Sequence, residues 1–189
     1  MPSPLTIAVF GSSQPLPGSD LYEDARSVGA ALARVGWTVV TGGYHGVMEG
    51  VSRGAKEAGG RAVGITSDYH HARGLIPNGW LDEERRVATY ADRLYTLART
   101  GDGYVVMNGG TGTLTELFFV WELVRNGSLP PRPIVLYGER WRRVMDALAN
   151  EIGELTGERH FCHIAYANTP EDTVRIIAGS IDRSVKESG

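Results

Sequence analysis

The stretch Tyr104-Val105-Val106-Met107-Asn108-Gly109-Gly110-Thr111-Gly112-Thr113-Leu114-Thr115-Glu116 decides how this chain is read. Its first four residues, preceded by Gly103, have the continuous apolar character of a buried strand. Leu114 to Arg125 then reads as a strong helix. Glycines between a buried strand and a helix permit positive φ and the close approach of a ligand. The helix start adds unpaired N–H groups and the positive end of its dipole. A phosphate therefore fits on Gly109, Gly110, Thr111, Gly112 and Thr113, with the Thr113 hydroxyl as a further donor. A tight turn with glycines for packing alone would use the same residues. Glu116 sits one turn into the helix. It is either an ordinary acid near a helix N-terminus or a carboxylate beside the sugar of a bound nucleotide.

Outward from this stretch, two more segments repeat the pattern. Thr41-Gly42-Gly43-Tyr44-His45-Gly46-Val47-Met48-Glu49 joins a strand at Trp37 to Val40 to a helix at Val47 to Ala58. It has the same logic without a GxGxxG spacing, and Gly42, Gly43 and Gly46 are its candidate ligand contacts. Gly11-Ser12-Ser13 closes a strand at Thr6 to Phe10. The hydroxyls of Ser12 and Ser13 can meet a phosphate or cap a turn. Leu21, Ala25, Val28, Leu32 and Val35 then recur at steps of four and three, an amphipathic helical stripe.

The remaining segments continue the alternation. Arg61 to Ile65 is a strand, and 66 to 82 lacks clear periodicity. Glu83 to Tyr90 is either a strand or a helix start, and Ala91 to Arg99 is a helix. Pro133 to Tyr137 is a strand, Trp141 to about Leu155 a helix, and Cys162 to Ala167 a last strand. Thr169 and Pro170 open a final helix. Strands alternating with helices, joined by right-handed crossovers, predict an α/β protein. The expected form is a three-layer, doubly wound, mostly parallel sheet of the Rossmann-like type. One domain is expected over residues 1–183, followed by a polar tail at 184–189. Ligands in such folds sit beyond the carboxyl ends of the strands, where all three glycine-rich segments fall.

Composition narrows the function classes. The chain has 189 residues and a net charge of −3, which argues against a broad nucleic-acid-binding face. A small anionic ligand is compatible with that charge, because backbone amides can hold it. Glycine is enriched, at 25 residues. One cysteine, Cys162, precludes an internal disulfide and fits a reducing compartment; it is expected to be a small buried residue. Met1-Pro2-Ser3-Pro4 lacks a basic n-region, and no run approaches the roughly 20 apolar residues of a membrane helix. A cytoplasmic protein is the expectation. His45, His70, His71, His160 and His163 have no metal-site spacing, so no metal or other cofactor is expected. No Gly-x-Ser-x-Gly elbow is present.

Gly109-Gly110-Thr111-Gly112-Thr113-Leu114-Thr115-Glu116 resembles the PGGxGTxxE signature of the LONELY GUY (LOG) family. These are cytokinin riboside 5′-monophosphate phosphoribohydrolases, long misnamed lysine decarboxylases. Thr41 to Gly60 resembles the family's first motif, roughly TGGGPGxMEAANRGAxEAGG, and Val9-Phe10-Gly11-Ser12-Ser13 also matches. The resemblance implies hydrolysis of the N-glycosidic bond of a nucleoside 5′-monophosphate, AMP or a cytokinin type, to free base and ribose 5-phosphate. It places the catalytic glutamate on Glu116. It places the family's motif arginine on Arg93, which taken alone reads as a solvated helix residue. The phosphate would lie on Gly109 to Thr113. The family also implies a homodimer, here through the helix 114–125, which carries Leu117, Phe118, Phe119, Val120, Trp121, Leu123 and Val124.

The chain departs from the family pattern at Asn108 for proline, Leu94 for lysine, Leu97 for methionine and Tyr44-His45 for Gly-Pro. These changes bear on base specificity and on activity itself. Molybdenum-cofactor carrier proteins share the fold and the glycine-rich loops, so the alternative is a non-catalytic carrier of a nucleotide or of the molybdenum cofactor. A dinucleotide-dependent oxidoreductase is weaker, since Gly11-Ser12-Ser13 stands where a GxGxxG would be.

Overall fold

A computed structural model of the chain describes residues 4–155 and 161–187. His160 and the ends of the chain at 1–3 and 188–189 lie outside the described residues. The strands are β1 (Thr6–Phe10), β2 (Thr38–Thr41), β3 (Ala62–Ser67), β4 (Glu83–Val87), β5 (Gly103–Val106), β6 (Ile134–Tyr137) and β7 (Ile164–Ala167). The helices are α1 (Asp20–Arg34), α2 (Val47–Glu57), α3 (Asp68–His71), α4 (Tyr90–Thr100), α5 (Thr111–Arg125), α6 (Glu139–Ile152) and α7 (Pro170–Glu187). The last of these runs into the polar segment 184–189.

The strands form one sheet in the order β4-β3-β2-β1-β5-β6-β7, and every pairing among them is parallel. This is the doubly wound α/β architecture that the alternation of apolar runs and amphipathic helices predicts, with the parallel character complete among the described strands. One face is packed by α1, α2 and α7, whose Ala25, Val28, Val47, Val51 and Ile177 meet Ile7, Val9, Val39 and Val105. The other carries α4, α5 and α6, where Leu97, Leu117, Val120, Trp121 and Met145 meet Phe10, Val40, Tyr104 and Leu136. Buried on both faces, the central strands need the near-continuous apolar character that Thr6 to Phe10 and Tyr104 to Met107 show.

The ambiguous segment at Glu83 resolves as a strand. Its Glu-Glu-Arg-Arg-Val sequence has no apolar pattern, because β4 is the exposed edge of the sheet and charge is favoured there. It pairs with β3 from Val63↔Glu83 to Ser67↔Val87. Arg61–Glu83 and Arg86–Asp68 ion pairs flank the ladder. The featureless region before it contains the one-turn helix α3. One expectation is overturned: Cys162 is exposed. It lies just ahead of β7, in a turn outside the sheet, so the strand that would have buried it starts two residues later. No described helix is long and apolar enough to cross a membrane.

The order of the sheet places β1 beside β5, so the chain winds away from that pair in both directions. This is the topological switch point, where the loops leaving two adjacent strands diverge and open a crevice. The two loops concerned are Gly11-Ser12-Ser13 after β1 and Asn108-Gly109-Gly110 after β5. They are tied together by the Ser12 N–H donating to the Asn108 carbonyl at 3.1 Å.

Candidate functional site

A cleft of about 300 Å³ opens at this switch point, the lower end of the ~300–1,000 Å³ usual for small-molecule sites. Its near wall is the β1 loop from Gly11 to Gln14. Its floor is the start of α5, Gly110 to Thr113, with Glu116 below. The far wall is Tyr44, Met48, His70, Leu75, Tyr90 and Arg93. α5 begins at Thr111, three residues ahead of the apolar pattern. Its N-cap is Gly110, and no side chain caps it. The first intrahelical bond is donated by the Leu114 N–H to the Gly110 carbonyl. The amides of Thr111, Gly112 and Thr113 therefore have no partner within the helix, and they border the cleft.

Two oppositely charged side chains meet where the floor joins the far wall. Arg93, in the first turn of α4, is 5% exposed, and Glu116 is 8% exposed. The Arg93 Nη1 is 3.7 Å from Glu116 Oε1, an ion pair without a hydrogen bond. Arg93 is held from three sides. Its Nε donates to the Ile65 carbonyl at 2.8 Å, its Nη2 lies 3.8 Å from the Met48 sulfur, and its guanidinium stands 5.6 Å from the Tyr44 ring centre. A capping box between Thr89 and Asp92 fixes the helix start that aims it. Burial pushes the Glu116 carboxyl up to about 7, and the charge of Arg93 pulls it part of the way back. Near neutrality the carboxyl is thus poised between its two forms.

The far wall is aromatic. The Tyr44 and His70 rings are 5.2 Å apart, and His70 and Tyr90 are 5.6 Å apart. Tyr44 is fixed by its hydroxyl, which accepts from the Ser67 N–H at 3.1 Å. Burial is the main cause of the fall of the His70 imidazole to about 4, with the charges of Arg93, Arg73 and His71 adding to it. Burial and then the Glu116 charge raise the Tyr90 hydroxyl.

The sequence-derived candidates divide into two sets. Glu116, Arg93, Gly110, Thr111, Gly112, Thr113, Ser12 and Ser13 border one cleft. Gly42, Gly43 and Gly46 lie beneath it, buried. A Cβ on Gly42 would stand 1.6 Å from Arg93 Nη2, so this glycine makes room for the guanidinium. Gly46, at φ 69°, lets the chain pass Ser12, whose carbonyl would be 2.4 Å from a Cβ there. Gly109 flanks the cleft; a Cβ on it would meet Thr113 Oγ1 at 2.1 Å. Sequence reasoning did not single out His70, Tyr90, Met48 or Gln14. His70 and Tyr90 fall in or beside the segment without periodicity, where only the His70-His71 pair stood out. Among the described residues no group of three or more His, Cys, Asp or Glu could hold a metal ion.

The family model described as the SLOG cluster4 family matches residues 4–129, which contain every residue of the cleft. The Mycobacterium tuberculosis protein named cytokinin riboside 5′-monophosphate phosphoribohydrolase is 37% identical over 117 residues, 61% of this chain and 62% of that protein. The alignment thus spans somewhat less than two thirds of that relative's length. A Rhodococcoides fascians protein of the same name is 30% identical over 139 residues, 73% of this chain and 70% of its own length. Among solved structures, the molybdenum cofactor binding protein of Rippkaea orientalis has a TM-score of 0.73 at 23% identity, covering 96% of this chain and 99% of that one. That likeness is one of fold.

Proposed function

The chain belongs to the SLOG cluster4 family, and from that premise we propose that it hydrolyses the N-glycosidic bond of a nucleoside 5′-monophosphate to a free base and ribose 5-phosphate. The observation that carries the reading is the buried Glu116, facing Arg93, one turn below an uncapped helix N-terminus in an open cleft. The substrate phosphate would take the amides of Thr111, Gly112 and Thr113, with Ser12 and Ser13 opposite, where helix dipole and unpaired donors both favour an anion. Anchored there, the ribose comes to lie over Glu116. Cleavage develops positive charge on C1′, which a carboxylate stabilises, and the same carboxylate can accept a proton from the attacking water. Arg93 keeps part of the Glu116 population ionised. The relatives named as phosphoribohydrolases support this reading.

We also propose a homodimer through α5. Phe118 is 41% exposed and stacks on Trp121 at 5.8 Å, and the exposed Tyr95 of α4 meets Phe119 at 6.5 Å. Phe118 and Tyr95 are the exposed rings of this patch, backed by the half-buried Phe119 and the buried Trp121.

The test is to incubate the protein with AMP, N6-isopentenyl-AMP, CMP and GMP and to follow free base by chromatography. Release from at least one nucleotide, with equimolar ribose 5-phosphate, is expected. Binding without release would instead identify a carrier.

A further inference from the structure

We propose that His70 donates a hydrogen bond from Nε2 to a ring nitrogen of the departing base, and that it is a leaving-group contact of this site. The inference rests on the hydrolase reading above. His70 is in α3, on the cleft wall across from the start of α5. Its Nδ1 lies 2.7 Å from Ser67 Oγ. Ser67 is fully buried, and its hydroxyl has no other partner among the described residues. A neutral imidazole can be written with the proton on either nitrogen. With the proton on Nδ1, the Ser67 hydroxyl would accept from the ring and leave its own hydrogen buried and unpaired, which is costly. With the proton on Nε2, the Ser67 hydroxyl donates to Nδ1 and every group is satisfied. The serine therefore fixes the tautomer, as second-shell partners of histidine generally do. The Nε2–H is left as a donor without a protein partner among the described residues, on a ring that borders the cleft.

The surroundings hold this donor in place. The His70 ring lies between Tyr44 and Tyr90, with Tyr69 edge-on at 5.2 Å. The Ser67 N–H is bonded to Tyr44, so Tyr44, Ser67 and His70 form one connected unit. The low basicity of the imidazole keeps it neutral through the physiological range. It therefore brings a donor to the cleft without a second cation beside Arg93.

The chemistry gives that donor a use. When the C1′–N bond breaks, its electron pair goes to the base, whose ring nitrogens become more basic. The water oxygen bonds to C1′ and its proton passes to Glu116. A proton from the carboxyl or solvent ends on the base, so no proton is lost from His70. A hydrogen bond that strengthens as charge collects on the base acts in the transition state more than in the ground state.

The experiment compares AMP with 4-nitrophenyl β-D-ribofuranoside 5′-phosphate, whose leaving group departs without help. Both are assayed on wild type, His70→Phe and His70→Gln, with folding checked by circular dichroism. Phe keeps the flat ring and removes the donor, and Gln keeps an N–H and removes the ring. The expectation is a fall in kcat on AMP of about 10²-fold for His70→Phe, little change on the nitrophenyl substrate, and partial recovery on AMP for His70→Gln. Equal losses on both substrates, or no loss on AMP, would overturn the role of His70 while leaving the hydrolase reading in place. Wild type releasing neither leaving group would overturn both.

Discussion

Glu116 and Arg93 carry opposite charges below a cleft open enough for a ligand, and each shapes the other's chemistry. Arg93 is the influence that holds the Glu116 carboxyl down against its burial. Arg93→Met should therefore raise that carboxyl above its present value of about 7. The acid limb of the kcat/KM profile should move to higher pH, because the ionised carboxylate becomes scarcer at a given pH; an unmoved limb would detach the profile from Glu116. Gly42→Ala should act on the same pair. Its Cβ would occupy the space of Arg93 Nη2, displacing the guanidinium at an overpacking cost of about 1–3 kcal/mol. A thermal melt measures that loss, and turnover should fall with it. At this scale the sequence was uneven. Glu116 could be picked out because its glycine-rich neighbours announce a strand end and a helix start. Arg93 has no such local signal: an arginine in the first turn of a helix is ordinarily solvated, and only the Gly42 gap, 51 positions away, lets it turn inward. His70 was hidden for a different reason: it sits in a one-turn helix within a segment that has no periodicity, although its partner Ser67 is only three residues away.

Among the elements, α5 does most to define the site. It has glycine at its N-cap, Gly110, and in its first turn, Gly112, and a Cβ on either would meet nothing within 4 Å. Packing therefore does not require glycine there. Gly112→Ala should stabilise the free protein by about 0.5–1 kcal/mol, the usual penalty of glycine in a helix. It should also weaken binding of AMP by calorimetry, because the methyl group faces the space assigned to the phosphate. Unchanged affinity would move the phosphate elsewhere. The outer face of α5 is the proposed dimer surface. Multi-angle light scattering should give twice the chain mass, and Phe118→Glu should shift it toward the monomer; a wild-type monomer at micromolar concentration would remove the dimer. The apolar pattern from Leu114 to Arg125 announced this helix, but not its start at Thr111, since Thr-Gly-Thr is a poor helical signal. β4 was ambiguous because an edge strand of glutamates and arginines has no core face to reveal its period.

At the scale of the molecule, the order of the sheet brings these parts together. Strand character and alternation were enough to predict the doubly wound form, and the switch point between β1 and β5 follows once the order is known. What sequence could not supply was which loops meet across it. Gly42 and Gly46, read from sequence as candidate ligand contacts, are buried against Arg93 and Ser12. The placement of a buried carboxyl also has a consequence for the whole fold. A carboxyl raised from 4.5 to about 7 binds its proton more tightly when folded. Its contribution to stability is fully present below pH 4.5 and is lost as pH rises through about 7. Glu116→Gln lacks that loss. Its stability relative to wild type should therefore improve between pH 5 and 8, by on the order of 1–3 kcal/mol in denaturant titrations. A constant difference would mean that the carboxyl is not shifted.

The same substitution gives the most direct test of the hydrolase account. Wild type and Glu116→Gln are each titrated with the best nucleotide by calorimetry and then assayed for free base. The account predicts similar affinity for the two proteins, with base release lowered by at least about 10²-fold in the variant. Release that survives the loss of the carboxylate, or a wild type that binds every nucleotide offered and cleaves none, would contradict it.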